Sequence, residues 1–237
     1  MLLFSVAVTN ISWNVKPIAE SQNNAPLSSL MEKASTNYSE YNSYEAVFET
    51  LDLELKGLSK DAFNWAVRGW NEMTSAGKLK NDSILTIIDF DQPSYKKRLY
   101  VIDIKNTKIL FNTWVAHGMN TGKEWAQSFS NKQNSHKSSL GFYITEGTYS
   151  GSNGFSLKLI GLEKNLNNNA YNRAIVMHGA PYVSQSFINA QGYIGRSHGC
   201  PAVPEQLNRP IIEKIKNGSC LFIYNKSYKT TGSILAS

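Results

Sequence analysis

Two cysteines, Cys200 and Cys220, are all that the 237 residues contain, too few for a disulfide framework. Neither sits in a Cys-x-x-Cys pair and no His-Glu-x-x-His occurs. The familiar zinc patterns are therefore missing, and neither a metal nor another cofactor is expected. Apolar runs are short. Met1 to Thr9 is too brief to cross a bilayer, so no membrane span is expected. It reads either as a signal-peptide remnant without its basic start or as the first part of an ordered N-terminus. Acidic residues are outnumbered, 18 against 24 Lys and Arg, which gives a net charge of +6. That excess suits an anionic polymer, but no zinc finger, RNA-binding signature or basic helix accompanies it, so nucleic acid is not an expected partner. Internal repeats are absent too.

What is present changes character along the chain. Residues 20–41 are rich in Ser and Asn, carry Pro26, and read as a linker. Tyr44, Val47, Phe48 and Leu51 then fall at helical spacing, as do Phe63, Ala66, Val67 and Trp70. Ser59 is the expected N-cap of the second helix and Gly77 its stop; their aromatic stripe should pack against the main domain. From Ser83 the period shortens. Strands are expected at Ile84 to Phe90, at Leu99 to Ile104 and Lys108 to Val115 around a turn at residues 105–107, at Leu157 to Leu162, at Ala174 to Met177, and in a last strand ending at Tyr224. A short helix is expected at Ile211 to Ile215. The division implied is an N-terminal segment 1–41, a helical lead-in 42–80, a β-rich domain 81–225 and a tail 226–237. Many short strands behind one cluster of helices make an α+β fold.

The chemistry concentrates between Asn172 and Pro204. The apolar run Ala174 to Met177 delivers His178 and Gly179; a loop then returns as Gly195-Arg-Ser-His-Gly-Cys200-Pro-Ala-Val-Pro. A cysteine alone is most often a small core hydrophobe, yet Ser-His-Gly-Cys-Pro is poor core material. A thiol brought near an imidazole is a nucleophile with its base. Gly199 lets the main chain approach a substrate, and the N–H groups of Gly199 and Cys200 are candidate oxyanion donors. Pro201 restricts Cys200 to extended conformations. Cys220, inside Ser-Cys-Leu-Phe-Ile-Tyr, reads as structural. His117, at the end of Val115-Ala-His-Gly118, reads as a structural or rim residue.

These motifs resemble the L,D-transpeptidases, and the Gly-Cys-Pro-Ala-Val-Pro ending resembles their murein L,D-transpeptidase catalytic-domain branch. The resemblance runs from about Leu58 to Tyr224, through Val-Ala-His-Gly, Ser138-Ser-Leu-Gly-Phe142, Arg173-Ala-Ile-Val-Met-His178-Gly and Gly-Cys-Pro-Ala. It departs from the larger branch at Pro201 and Ala202, which stand where that branch has an apolar residue and then Asn or Arg. The resemblance implies a β-sandwich catalytic core preceded by helices. It implies that Cys200 attacks a peptidoglycan stem tetrapeptide, releases D-alanine and passes the acyl group to an amine, with His178 as base. It implies a pocket of Gly179, Arg196, Ser197, His198 and Gly199, in which Arg196 or Arg173 is a candidate for holding a stem carboxylate. It implies stem peptides as partners and an extracytoplasmic bacterial location, in periplasm or cell wall. A hydrolytic peptidase with the same site, or a non-catalytic wall-binding module, are the competing expectations.

Overall fold

The computed structural model describes residues 44–228, which belong to one compact unit beginning at Asn42. The readings of residues 1–9 and 20–41, and of the tail past residue 228, lie outside the described residues. Residues 44–50 are helical. Helix α1, Lys60–Ser75, is begun by Ser59, whose Oγ accepts from the Ala62 N–H at 3.2 Å, with Asp61 in the first turn. It stops at Gly77, whose φ of +65° permits the left-handed exit, and the Gly77 and Lys78 N–H groups close on Thr74 and Met73 carbonyls. Phe63, Ala66, Val67, Trp70 and Met73 line its buried face. Buried Asp89 ties the helix start to the neighbouring strand, accepting from the Ser59 N–H at 3.1 Å.

The strands are β1 Ile84–Asp89, β2 Leu99–Asp103, β3 Lys108–Thr113, β4 Gly141–Gly151, β5 Gly154–Gly161, β6 Val176–Gly179, β7 Ala202–Val203 and β8 Cys220–Tyr224. Helices α2, Gln185–Gln191, and α3, Glu205–Ile215, fall on either side of β7. All eight strands join in one order, β3-β2-β1-β8-β4-β5-β6-β7. The last strand thus inserts between β1 and β4, parallel to the first and antiparallel to the second. Every residue of β1 and β8 is buried, the signature of strands covered on both faces. Chain leaving β3 crosses to the opposite edge, where Ala116 bridges Ala202 and Gly118 bridges Ser197. The sheet therefore curls back on itself around its core. The α+β, β-rich class expected from the pattern is observed.

Local differences have local causes. Ala174 has φ +53°, a left-handed conformation outside the extended region of a regular strand. The strand expected at Ala174 to Met177 therefore starts two residues later and runs through His178 and Gly179. Helix α3 begins six residues before Ile211 and carries Pro210 in its interior, which masked it from a reading that ends helices at proline.

Candidate active site

The site forms where β6 and β7 pair in parallel, His178 opposite Ala202 and Gly179 opposite Val203. Two residues before Ala202, the cysteine turn is held from within by Ser197. Its Oγ accepts from the Gly199 N–H at 3.0 Å and donates to the Cys200 carbonyl at 2.6 Å. Outside it, the Ser197 N–H reaches the His117 carbonyl at 3.0 Å and the Ser197 carbonyl accepts from Met119 at 2.7 Å. Ser138 Oγ joins the Gly118 N–H at 3.0 Å to the Gly199 carbonyl at 3.3 Å. Gly199 itself has φ +122°, and a Cβ there would lie 2.8 Å from the Lys137 carbonyl oxygen. Only glycine satisfies both conditions.

Cys200 Sγ rests on the backbone that leads into β6. It accepts from the Val176 N–H at 3.5 Å and faces the Ala174 carbonyl at 3.7 Å. The αL conformation of Ala174 lies at this cradle, a strain of the kind that persists where the surroundings over-determine it. Cys200 is 8% exposed. Burial pushes its pKa up, while the Val176 N–H and the Arg173 charge pull the other way.

His178 is buried, and its Nδ1 lies 2.9 Å from the Gly179 carbonyl. A carbonyl only accepts, so Nδ1 carries the hydrogen and Nε2 presents a lone pair. Burial lowers the imidazole pKa, which keeps it neutral and able to accept a proton. Among the described residues thiol and imidazole share no direct hydrogen bond; the thiol lies on the turn that leads into β7, the imidazole on its partner β6. Apo sites often hold such pairs apart until substrate arrives.

The remaining expected residues divide. Gly199 is no free oxyanion donor, because Ser197 Oγ already occupies its N–H; this corrects that part of the reading. The Cys200 N–H, by contrast, has no acceptor among the described residues. Arg196 reaches the Met119 and Gly122 carbonyls through Nη1 at 3.3 and 3.1 Å. His198 is exposed and lies against His136, ring centroids 4.4 Å apart. Arg173 is spent on the 130–139 segment: Nη1 donates to the Ser130 carbonyl and Ser139 Oγ, Nη2 to the Lys137 carbonyl and Ser135 Oγ. His117 is fully buried. The Arg98 guanidinium, which only donates, meets its Nδ1 at 2.8 Å, and its Nε2 faces the Gly122 carbonyl at 3.3 Å. Burial and then the Arg98 charge push His117 down to about 3. Among the described residues no group of three or more His, Cys, Asp or Glu side chains is disposed to hold a metal. Sequence reasoning missed the thiol's cradle, Ala174 and Val176, because both contribute main-chain groups. It also missed Tyr182, close enough to Cys200 to interact electrostatically.

Residues 54–224 match the family model of the L,D-transpeptidase catalytic domain. No curated protein matches the sequence. Among solved structures, an L,D-transpeptidase from Mycobacterium smegmatis is 12% identical, with 60% of this chain and 59% of that one covered and a TM-score of 0.38. The helical cell shape determining protein Pgp2 from Campylobacter jejuni is 13% identical, with 70% and 59% covered and a TM-score of 0.39. The match thus spans 59% of the length of each of these two. On the family match, which takes in β1 to β8 together with His178 on β6 and the Cys200 turn before β7, the chain belongs to the L,D-transpeptidase catalytic-domain family.

Proposed function

We propose that this chain is a cysteine acyltransferase that cross-links peptidoglycan stem peptides outside the bacterial cytoplasm. The observation that carries the reading is a buried thiol two residues before β7, the strand paired with β6, and on β6 an imidazole whose proton the Gly179 carbonyl fixes on Nδ1. Cys200 Sγ gives its proton to His178 Nε2 and attacks the carbonyl carbon between the third stem residue and the fourth-position D-alanine. The Cys200 N–H is the free main-chain donor for the resulting oxyanion. The C–N bond breaks, His178 returns the proton to the departing D-alanine amine, and a thioester remains. An amine of a second stem attacks that thioester; His178 takes the amine's proton and passes it to the departing sulfur. The Gly179 carbonyl plays the part that a carboxylate plays in a serine triad, holding the tautomer. The exposed face of Arg196 is the candidate contact for a stem carboxylate.

Mass analysis of purified protein incubated with stem tetrapeptide tests this. A cross-linked dimer with loss of D-alanine is expected. A trimmed monomer alone assigns the same site to hydrolysis. Unchanged tetrapeptide together with a thiol inert to acylating probes would reduce the protein to a non-catalytic wall-binding module.

A further inference from the structure

The guanidinium of Arg173 stands beside the nucleophile turn, and among the described residues no carboxylate pairs with it. Its four hydrogen bonds, at 2.5 to 3.2 Å, go to two main-chain carbonyls and two serine hydroxyls, all neutral. Such bonds solvate a cation without cancelling its charge. They also fix where it points. Nη2 would lie 3.4 Å from a Cβ built on Gly199, the residue preceding the nucleophile, and the Lys137 carbonyl that Nη2 grips would lie 2.8 Å from that same Cβ. Among the described residues, the acidic groups that act on Arg173 electrostatically are the Tyr143 hydroxyl and the Cys200 thiol. Tyr143 is buried, its hydroxyl donates to the Ser139 carbonyl at 3.0 Å, and burial pushes its pKa upward. A phenol so placed remains neutral. Among the described residues, that leaves the thiolate as the anion beside this cation.

We propose that Arg173 is the positioning residue that supplies the counter-charge for the Cys200 thiolate, so that His178 accepts the thiol proton without having to remain as a standing ion-pair partner. The proposal rests on the acyl-transfer reading for its purpose but not for its measurement. It explains a division of labour visible in the chain: residues 173–176 give the sulfur a charge, a carbonyl and an N–H, while His178, farther along β6, meets the Gly179 carbonyl. A buried anion facing a fixed cation in a medium of low dielectric is stabilised far more than one facing water. The other charged or titratable groups around the thiol compete poorly. His178 is held neutral by burial. The Tyr182 hydroxyl is pushed up to about 12. His198 lies against His136 at the surface, and Lys137 turns its ammonium to Ser128 Oγ at 2.6 Å.

The test is the pH dependence of Cys200 alkylation by iodoacetamide in the full chain, followed by intact mass, for wild type, Arg173→Gln and Arg173→Lys. The Gln variant should move the profile upward by about one unit or more, which at neutral pH is about a tenfold slower alkylation. The limiting rate at high pH should stay near wild type, because the thiolate itself is unchanged. Arg173→Lys should keep most of the wild-type profile. A Gln profile that superposes on wild type, or a Lys profile displaced as far as Gln, overturns the proposal and leaves Arg173 a structural tie for the 130–139 segment. Arg173→Met replaces Gln if Gln does not fold. If neither charge-free variant folds, the Lys profile decides alone, by holding or by moving a full unit. No stem peptide enters these measurements, so a protein that fails to cross-link while showing the shift keeps the counter-charge and loses only the acyl-transfer reading.

Discussion

Cys200 and Cys220 are both buried, and burial pushes both thiols upward, yet they are different chemical objects. Cys220 opens β8 between Leu85 and Ile144, is fully enclosed, and nothing but burial acts on it. Cys200 has an N–H, a carbonyl and a cation around its sulfur. The two buried histidines repeat the contrast. His117 has both ring nitrogens engaged, by Arg98 and by the Gly122 carbonyl, whereas His178 has one engaged and one open. Burial alone therefore says nothing about reactivity at these four positions. The polar groups set around each side chain do.

The hardest way to break this comparison is to delete each cysteine in turn. Cys200→Ala should leave no detectable cross-linked product while its thermal midpoint stays close to wild type, since the turn's own bonds come from Ser197 and the main chain. Cys220→Ala should keep full turnover. Turnover by the Cys200 variant, or its loss in the Cys220 variant, would exchange the two roles. Next in size is the base. His178→Ala should lower the rate by a factor on the order of a hundred or more, measured as product formed per unit time at saturating stem peptide. His198→Ala should stay within a few-fold of wild type, because that ring is exposed against His136. A dead His198 variant beside an active His178 variant would move the base to the surface pair.

How much of this was legible in the sequence follows from which atoms carry it. Side chains with a period or a motif were readable. The Ser59 cap, the Gly77 stop, the β2–β3 hairpin and the pairing of His178 with the Ser-His-Gly-Cys200 turn all rest on residue types that have few other uses. The sheet order was not readable, because β8 is recruited to the middle by packing on both faces, a contact far along the chain. Nor was the thiol's cradle. Ala174 gives no hint of φ +53°, and the N–H of Val176 looks like any other in the chain. Gly199 shows a subtler failure. What requires glycine there is the space and backbone angle beside Lys137, and its N–H belongs to Ser197.

The histidine contrast has its own pH signature. His117 sits at about 3 in the fold against an ordinary value near 6.5. The folded state thus binds fewer protons at this site than the unfolded chain between those values. Its contribution to stability is complete above pH about 6.5 and is lost as pH falls toward 3. Asp89 and Glu163, both raised by burial, act in the opposite sense in acid, so the comparison must be with a variant. His117→Gln can accept from Arg98 and donate to Gly122 without titrating. Urea unfolding should find wild type more stable at pH 7 and the gap between the two closing toward pH 4. A constant gap would mean that His117 does not titrate with folding.

The smallest effect sharpens the cysteine comparison most, because it asks what Cys220 is for. The Cys220 thiol is enclosed between paired strands, with no polar group among the causes of its upward shift. A side chain used only for packing should tolerate loss of volume better than gain of polarity. Cys220→Ala removes one heavy atom from a tight site and should cost about 1 kcal/mol. Cys220→Ser keeps the volume but adds a hydroxyl that needs a partner. The nearby Ser219 hydroxyl is already committed to the Ile215 carbonyl at 2.6 Å and the Thr145 hydroxyl at 3.2 Å. The serine should therefore cost more than the alanine, about 1–3 kcal/mol for a buried hydroxyl left unpaired. Denaturant midpoints of the two variants at one pH give the order directly. Alanine worse than serine would mean that the sulfur at position 220 is held for its polarity, and the distinction between the two thiols would have to be drawn elsewhere.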